Sequence, residues 1–246
     1  MASCHVERPL DDRTWRAFSR LQERRPGGLA VAALMRPPDA EAGEHDDERW
    51  LARAREAADR APLGHHAHFT SPTHARPTGG DSRERVRREG AWLRSQGLRP
   101  TLFCGGGWYT DLGVARACAE LGYADCTPRA VRPSYLQDGA AWAELASPAV
   151  LELDAGTLVV VPTTHAAGDL VRDLVRGRLP DRVHAYFHDT DLLDVRRRAI
   201  VIAGLMALGR RRQPTDLNEL ATEVRRSAPR VAWSDVARGE AAAPPA

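Results

Sequence analysis

The sequence predicts an α/β protein built of β/α units around a largely parallel sheet. Short apolar runs alternate along the chain with longer segments of helical period, which is the signature of that class. The 246 residues, 43% hydrophobic and 28% charged, are enough for one sizeable core. A single domain over residues 1–231 is the expectation, and no internal repeat interrupts it.

The first apolar run, residues 2–6, leads through Pro9 to a helix capped by Asp11 or Asp12, with Trp15, Phe18 and Leu21 on one face. Gly27 and Gly28 break that helix. Residues 29–35 form a continuous apolar run suited to a strand buried on both faces, and a helix is expected over 46–59. A short run at 62–66 opens into the polar segment 66–80, a length that usually carries function. Then come a helix at 82–95, a strand at 100–104, the run Gly105-Gly106-Gly107, a helix at 111–121 closed by Gly122, and a strand at 123–127. Residues 151–153 and 157–161 read as paired strands and 166–175 as a helix. Residues 183–187 read as a last strand before an amphipathic helix at 192–208, giving roughly seven strands. Residues 216–226 add a helix. The end, 232–246, finishes Ala-Ala-Ala-Pro-Pro-Ala and is expected to be disordered.

Composition removes several chemistries. All 35 basic residues are arginine, so Schiff-base lysines and the P-loop lysine are excluded. A net charge of +2 against 33 acidic residues gives no broad positive field, and the runs Arg196–Arg198 and Arg210–Arg212 read as solvated helix faces, so no nucleic-acid partner is expected. Cys4, Cys104, Cys118 and Cys126 form no CxxC pair and are expected as reduced thiols. The start has no signal-peptide pattern and the apolar stretch 199–208 is too short to span a bilayer, so a cytoplasmic protein without a membrane partner is expected.

Six of nine histidines, His5, His65, His66, His68, His165 and His188, fall at or just beyond the C-terminal ends of predicted strands, the edge where β/α barrels place their active sites. In Gly64-His65-His66-Ala67-His68, strand alternation points His66 and His68 to one side, where both imidazoles can reach one metal ion, and turns His65 away. His74 is a reserve ligand. His5 and Glu7 share a face by the same alternation, adding a carboxylate; the competing reading is a Glu7 paired with Arg8 or another guanidinium. His184, Tyr186 and His188 alternate onto one side. Asp189 or Asp191 stands ready to orient an imidazole, and Asp191 equally reads as the cap of the next helix.

Together these segments, over roughly residues 3–225, resemble the polysaccharide deacetylase superfamily (NodB-like, carbohydrate esterase type 4) in a divergent cytoplasmic form. The resemblance implies a distorted (β/α)7-type barrel, a divalent metal, zinc by expectation, and hydrolysis of an N-acetyl or related amide of an amino-sugar or glycoconjugate. By position it makes Glu7 the metal carboxylate and puts His5 where the family has its base. It makes His66 a ligand; the second motif position is Thr70, so His68 or His74 substitutes. Cys104 stands where an arginine steadies the base. Gly107, Trp108 and Tyr109 fall on the substrate groove with Asp189, and His188 takes the role of the acid that protonates the leaving amine.

The implied chemistry is metal-assisted amide hydrolysis, the ion lowering the pKa of bound water to about 7 while His188 protonates the leaving nitrogen. Two other readings use the same residues: a catalytically silent barrel that binds carbohydrate or protein, with Trp108 and Tyr109 stacked on a sugar ring, and an amidohydrolase for a cyclic imide or ureide.

Overall fold

The structure is a computed structural model describing residues 1–40, 43–69, 81–134, 136 and 138–239. It is mixed α/β with mainly parallel strand pairing. In chain order the elements are β1 (Ala2–Val6), α1 (Asp12–Arg24), β2 (Val31–Met35), α2 (Asp47–Ala58), β3 (Leu63–Ala67), α3 (Ser82–Ser95), β4 (Leu102–Gly105), α4 (Leu112–Glu120) and β5 (Ala124–Asp125). They continue with β6 (Trp142–Ala143), β7 (Ala149–Leu153), β8 (Gly156–Val160), β9 (His165–Ala166), α5 (Ala167–Arg176), β10 (Ala185–His188) and α6 (Val195–Arg211). Last come α7 (Leu217–Ser227), β11 (Arg230–Ala232), α8 (Trp233–Val236) and β12 (Ala237–Arg238).

Where one domain is expected, the chain forms two compact units, residues 1–64 with 164–217, and 65–163 with 218 onward. In the first, the strands run β2–β1–β10–β9, every pair parallel. β1 and β2 are buried at each position, as strands covered on both faces must be. The pairing that matters for function joins β1 to β10 in the register Ser3 to Tyr186 and His5 to His188. Side chains alternate along each strand, so Ser3, His5, Tyr186 and His188 share one face.

α1 starts because the Asp11 carboxylate accepts the Thr14 amide at 2.7 Å, and it buries Trp15, Phe18 and Leu21. Arg25, left-handed at φ 44°, ends it, and the turn Pro26–Gly28 follows. α6 starts later than expected. A 3-10 turn, Asp189–Leu192, intervenes after β10, and the cap is Asp194, which accepts the amides of Arg196 and Arg197. Asp191, one candidate for that cap, instead accepts the His188 amide at 3.0 Å and closes the 3-10 turn from behind.

The second unit runs β11–β7–β8–β5–β4, with β7 and β8 an antiparallel hairpin among otherwise parallel pairs. β5 is only two residues long. Its core gathers Phe103, Val114, Cys118, Tyr123, Leu151 and Val160. Residues 232–239 correct the expectation of a disordered end: Trp233 is buried, Ala237 and Arg238 pair antiparallel with Ala143 and Trp142, and Arg238 bridges to Glu144 at 2.9 Å. Trp233, Val236 and Ala237 all enter the second unit's core, the indole contributing most of the buried area. His74, Thr70 and residues 240–246 lie outside the described residues.

Candidate functional site

The first unit brings His5, Glu7 and His188 together. His5 and His188 end neighbouring parallel strands in register, and Glu7 follows one residue past β1. One ligand atom from each lies within 4.8 Å of the other two. The His188 Nε2 stands 3.8 Å from a Glu7 carboxylate oxygen, and the His5 and His188 rings meet edge to face at 5.2 Å. Exposure ranks the three: His5 is 3% exposed, the Glu7 side chain 25% and the His188 side chain 37%.

Each member is fixed from behind. Tyr186 stacks on His5 with centroids 5.1 Å apart, which sets the ring plane. Arg36 of the loop after β2 donates from its Nε and Nη2 to the Glu7 peptide carbonyl at 3.2 Å, and reaches Glu44 with the same Nη2. That guanidinium therefore holds the Glu7 backbone in place. The Asp191 carboxylate lies 3.9 Å from the His188 Nδ1, on the ring edge opposite Glu7.

Asp189 is not a surface contact for substrate. It is fully buried, accepting the Arg8 amide at 2.8 Å on Oδ2 and the Thr190 amide at 2.8 Å on Oδ1. Burial, with Glu7 nearby, pushes its carboxyl up to about 7 against the pull of those amides. Its work is to tie the residue after Glu7 to the turn after His188. Nothing in the spacing of Asp189 distinguishes this clamp from an exposed carboxylate, because the clamp exists only once β1 and β10 are paired.

In the second unit His66 and His68 share a side as alternation requires, their Nε2 atoms 3.1 Å apart, and the His66 Nδ1 is anchored by the Cys104 carbonyl at 2.8 Å. Gly106 lies against His68 so tightly that a Cβ there would sit 2.7 Å from its ring. His65 turns away as expected, bonded to Glu89 at 2.8 Å and packed edge-on to Phe103 and Tyr123. Glu7 belongs to the first unit and His66 and His68 to the second, so the expected three-ligand set is not a set within one unit.

The groove residues fall in the second unit and differ from expectation. Gly107 takes φ 64° and Trp108 the left-handed φ 65°, a conformation an L side chain adopts only when its surroundings insist. The turn tucks the Trp108 ring inward, 2% exposed, beneath the Arg129 guanidinium at 4.5 Å. Tyr109 is buried too, its hydroxyl donating to Asp111. Neither ring offers an open face for a sugar. The Gly105 amide is spent on the Thr127 hydroxyl at 2.8 Å.

Asp125 is a group the sequence reading passes over. It is fully buried on β5, accepts the Thr127 amide on Oδ1, and leaves Oδ2 without a hydrogen bond. Burial raises its carboxyl to about 6. The signal was a lone acid inside the apolar run 123–127.

No family model and no curated protein matches the chain. Among solved structures it is similar to a 4-alpha-glucanotransferase from Thermococcus litoralis, with a TM-score of 0.52 and 13% identity over 91% of this chain. The match covers 38% of that enzyme, so the chain spans well under half its length. At that identity the likeness is one of fold alone. Among the described residues no helix is long and apolar enough to cross a membrane.

Proposed function

We propose that the first unit carries the metal site of a hydrolase that removes an N-acetyl or related amide group from an amino-sugar or glycoconjugate. The observation supporting this reading is the convergence of His5, Glu7 and His188 at the ends of two strands drawn from opposite ends of the sequence. The resemblance to the polysaccharide deacetylases supplies the substrate class.

The residues present fit a divalent ion. Two imidazoles and one carboxylate are the donor set of hydrolytic zinc sites, with room left for water. His5, Glu7 and His188 would be its three ligands in this reading. When bound, the ion would acidify water and polarise the amide carbonyl.

The chain's own residues do the rest. Tyr186 holds the His5 ring in one plane, and Asp189 fixes the register of the Glu7 and His188 backbones. His188 is the most exposed of the three, so it is the group that incoming substrate meets. Carboxylates stand near both ring nitrogens, Glu7 at 3.8 Å from Nε2 and Asp191 at 3.9 Å from Nδ1, so the ring is held with one edge toward the cluster and the other toward Asp191.

The test is metal analysis of protein purified without chelator, followed by an acetate-release screen over N-acetylated sugars. About one equivalent of zinc or a similar ion is expected, falling by at least tenfold in Glu7→Ala and His5→Ala. A His66→Ala variant reports whether the second unit's pair holds an ion of its own. Full activity in metal-free protein overturns the reading.

A further inference from the structure

The solvent face of α1 carries Arg13, Arg16, Arg20 and Arg24, spaced three or four residues apart, so that they form one row about 16 Å long over three turns. Among the described residues no carboxylate lies within ion-pair distance of any of the four. The same helix's Asp12, by contrast, pairs with Arg49 and Arg53 of α2.

Beside this row lies a cavity of about 720 Å³ whose apolar lining includes Leu21 of α1, Leu192, Leu193, and Ile202 and Met206 of α6. All of these residues belong to the first unit. α1 and α6 meet chiefly through the turns at their ends. At one end α1 packs on the turn Asp189–Leu192, and at the other α6 packs on the turn Pro26–Gly28. The second contact is backbone on backbone: a Cβ on Gly209 would lie 2.0 Å from the Gly27 carbonyl oxygen, and one on Gly27 would lie 2.3 Å from that of Leu205. The result is an apolar slot, closed at both ends, about three helical turns long and edged by unneutralised guanidinium groups.

We propose that this slot docks an acidic amphipathic helix of about three turns from a partner protein, its Glu or Asp side chains on the arginine row and its aliphatic side chains on Leu193, Ile202 and Met206. The row's length matches a helix, since acids repeating at three and four residues meet arginines repeating at the same spacing. A free phosphate would occupy one turn and leave the apolar floor unused. A single-stranded nucleic acid calls for stacking platforms, and among the described residues no aromatic side chain lines the cavity. A bilayer surface meets protruding apolar groups, whereas here they form the floor of a depression.

The experiment measures fluorescence anisotropy of a labelled synthetic helix of about 14 residues, Glu on one face and Leu on the adjoining one, against the full chain at low salt. Saturable binding is expected, weakened at least about tenfold by Arg16→Glu with Arg20→Glu and also by Ile202→Glu. A second peptide with Arg in place of Glu should bind the double Arg→Glu variant better than the parent, which separates lost charge from lost folding. The proposal fails if the peptide does not bind or binds the reversed variant equally well. It also fails if phosphatidylglycerol vesicles or a single-stranded oligonucleotide bind more tightly with the same dependence on Arg16 and Arg20.

Discussion

The two units treat their histidines differently. In the first, His5 and His188 end paired strands with ring edges facing Glu7 and each other, and part of that cluster reaches solvent. In the second, His65 is spent on Glu89 and against two aromatic rings, and His66 gives one nitrogen to a backbone carbonyl. All of these residues sit at strand ends. A histidine at that edge is thus raw material only, and what its second nitrogen meets decides whether chemistry is available.

Among the described residues, the second unit leaves more of its buried polar atoms without hydrogen-bond partners than the first. The Tyr123 hydroxyl, the Asp125 Oδ2, the Thr110 hydroxyl and the Trp233 indole nitrogen are buried there without hydrogen-bond partners. Its cysteines Cys104, Cys118 and Cys126 are buried thiols whose pKa burial drives upward, leaving them packing groups.

This contrast can be broken by substitution. The largest effect is expected at Asp111, which caps α4 through the Val114 amide and accepts hydrogen bonds from the Tyr109 and Ser82 hydroxyls. Asp111→Ala removes all three and strands a buried phenol, so thermal or urea unfolding should show a loss of about 3 kcal/mol.

Asp125 comes next, through pH. Its folded pKa of about 6 stands above the ordinary 3.8, so its contribution is fully present below about pH 4 and disappears as pH rises through 6. Wild-type stability should fall by about 3 kcal/mol across that window through this group, and Asp125→Asn should flatten the fall. Urea midpoints at about pH 3.5 and about pH 8, below and above that window, decide it. An unchanged slope in the Asn variant would place the sensitivity elsewhere.

The smallest effect sharpens the comparison. Asp11 caps α1 of the first unit through a single amide and is otherwise exposed. Asp11→Ala should cost about 1 kcal/mol, a third of the loss at its counterpart Asp111.

How much of this was legible follows from which forces are local. Helix α3 spans the residues expected of it and α1 is capped by a nominated aspartate, because caps and apolar periodicity act over a few neighbours. The facing of His66 and His68, with His65 turned away, was equally local, being a matter of strand alternation. The stacking of Tyr186 on His5 and the clamp at Asp189 were not legible, since both depend on the register between β1 and β10. Of the end expected to be disordered, 232–246, residues 232–239 are ordered instead, because composition averages away Trp233 and Val236 while packing responds to them. The arginine row on α1 was present in the spacing, but only the cavity beside it separates a binding surface from a solvated one.

The pairing of the first strand with β10 carries a consequence for how the protein is made. While the chain is being synthesised, the edge of β1 that receives β10 has no mate until residue 188 has emerged, by which time most of the second unit's core, though not Trp233 and Val236, has appeared. A nascent polypeptide halted before that strand would have His5 and Glu7 but not the imidazole that completes the trio, so competence for chemistry would arrive late and all at once.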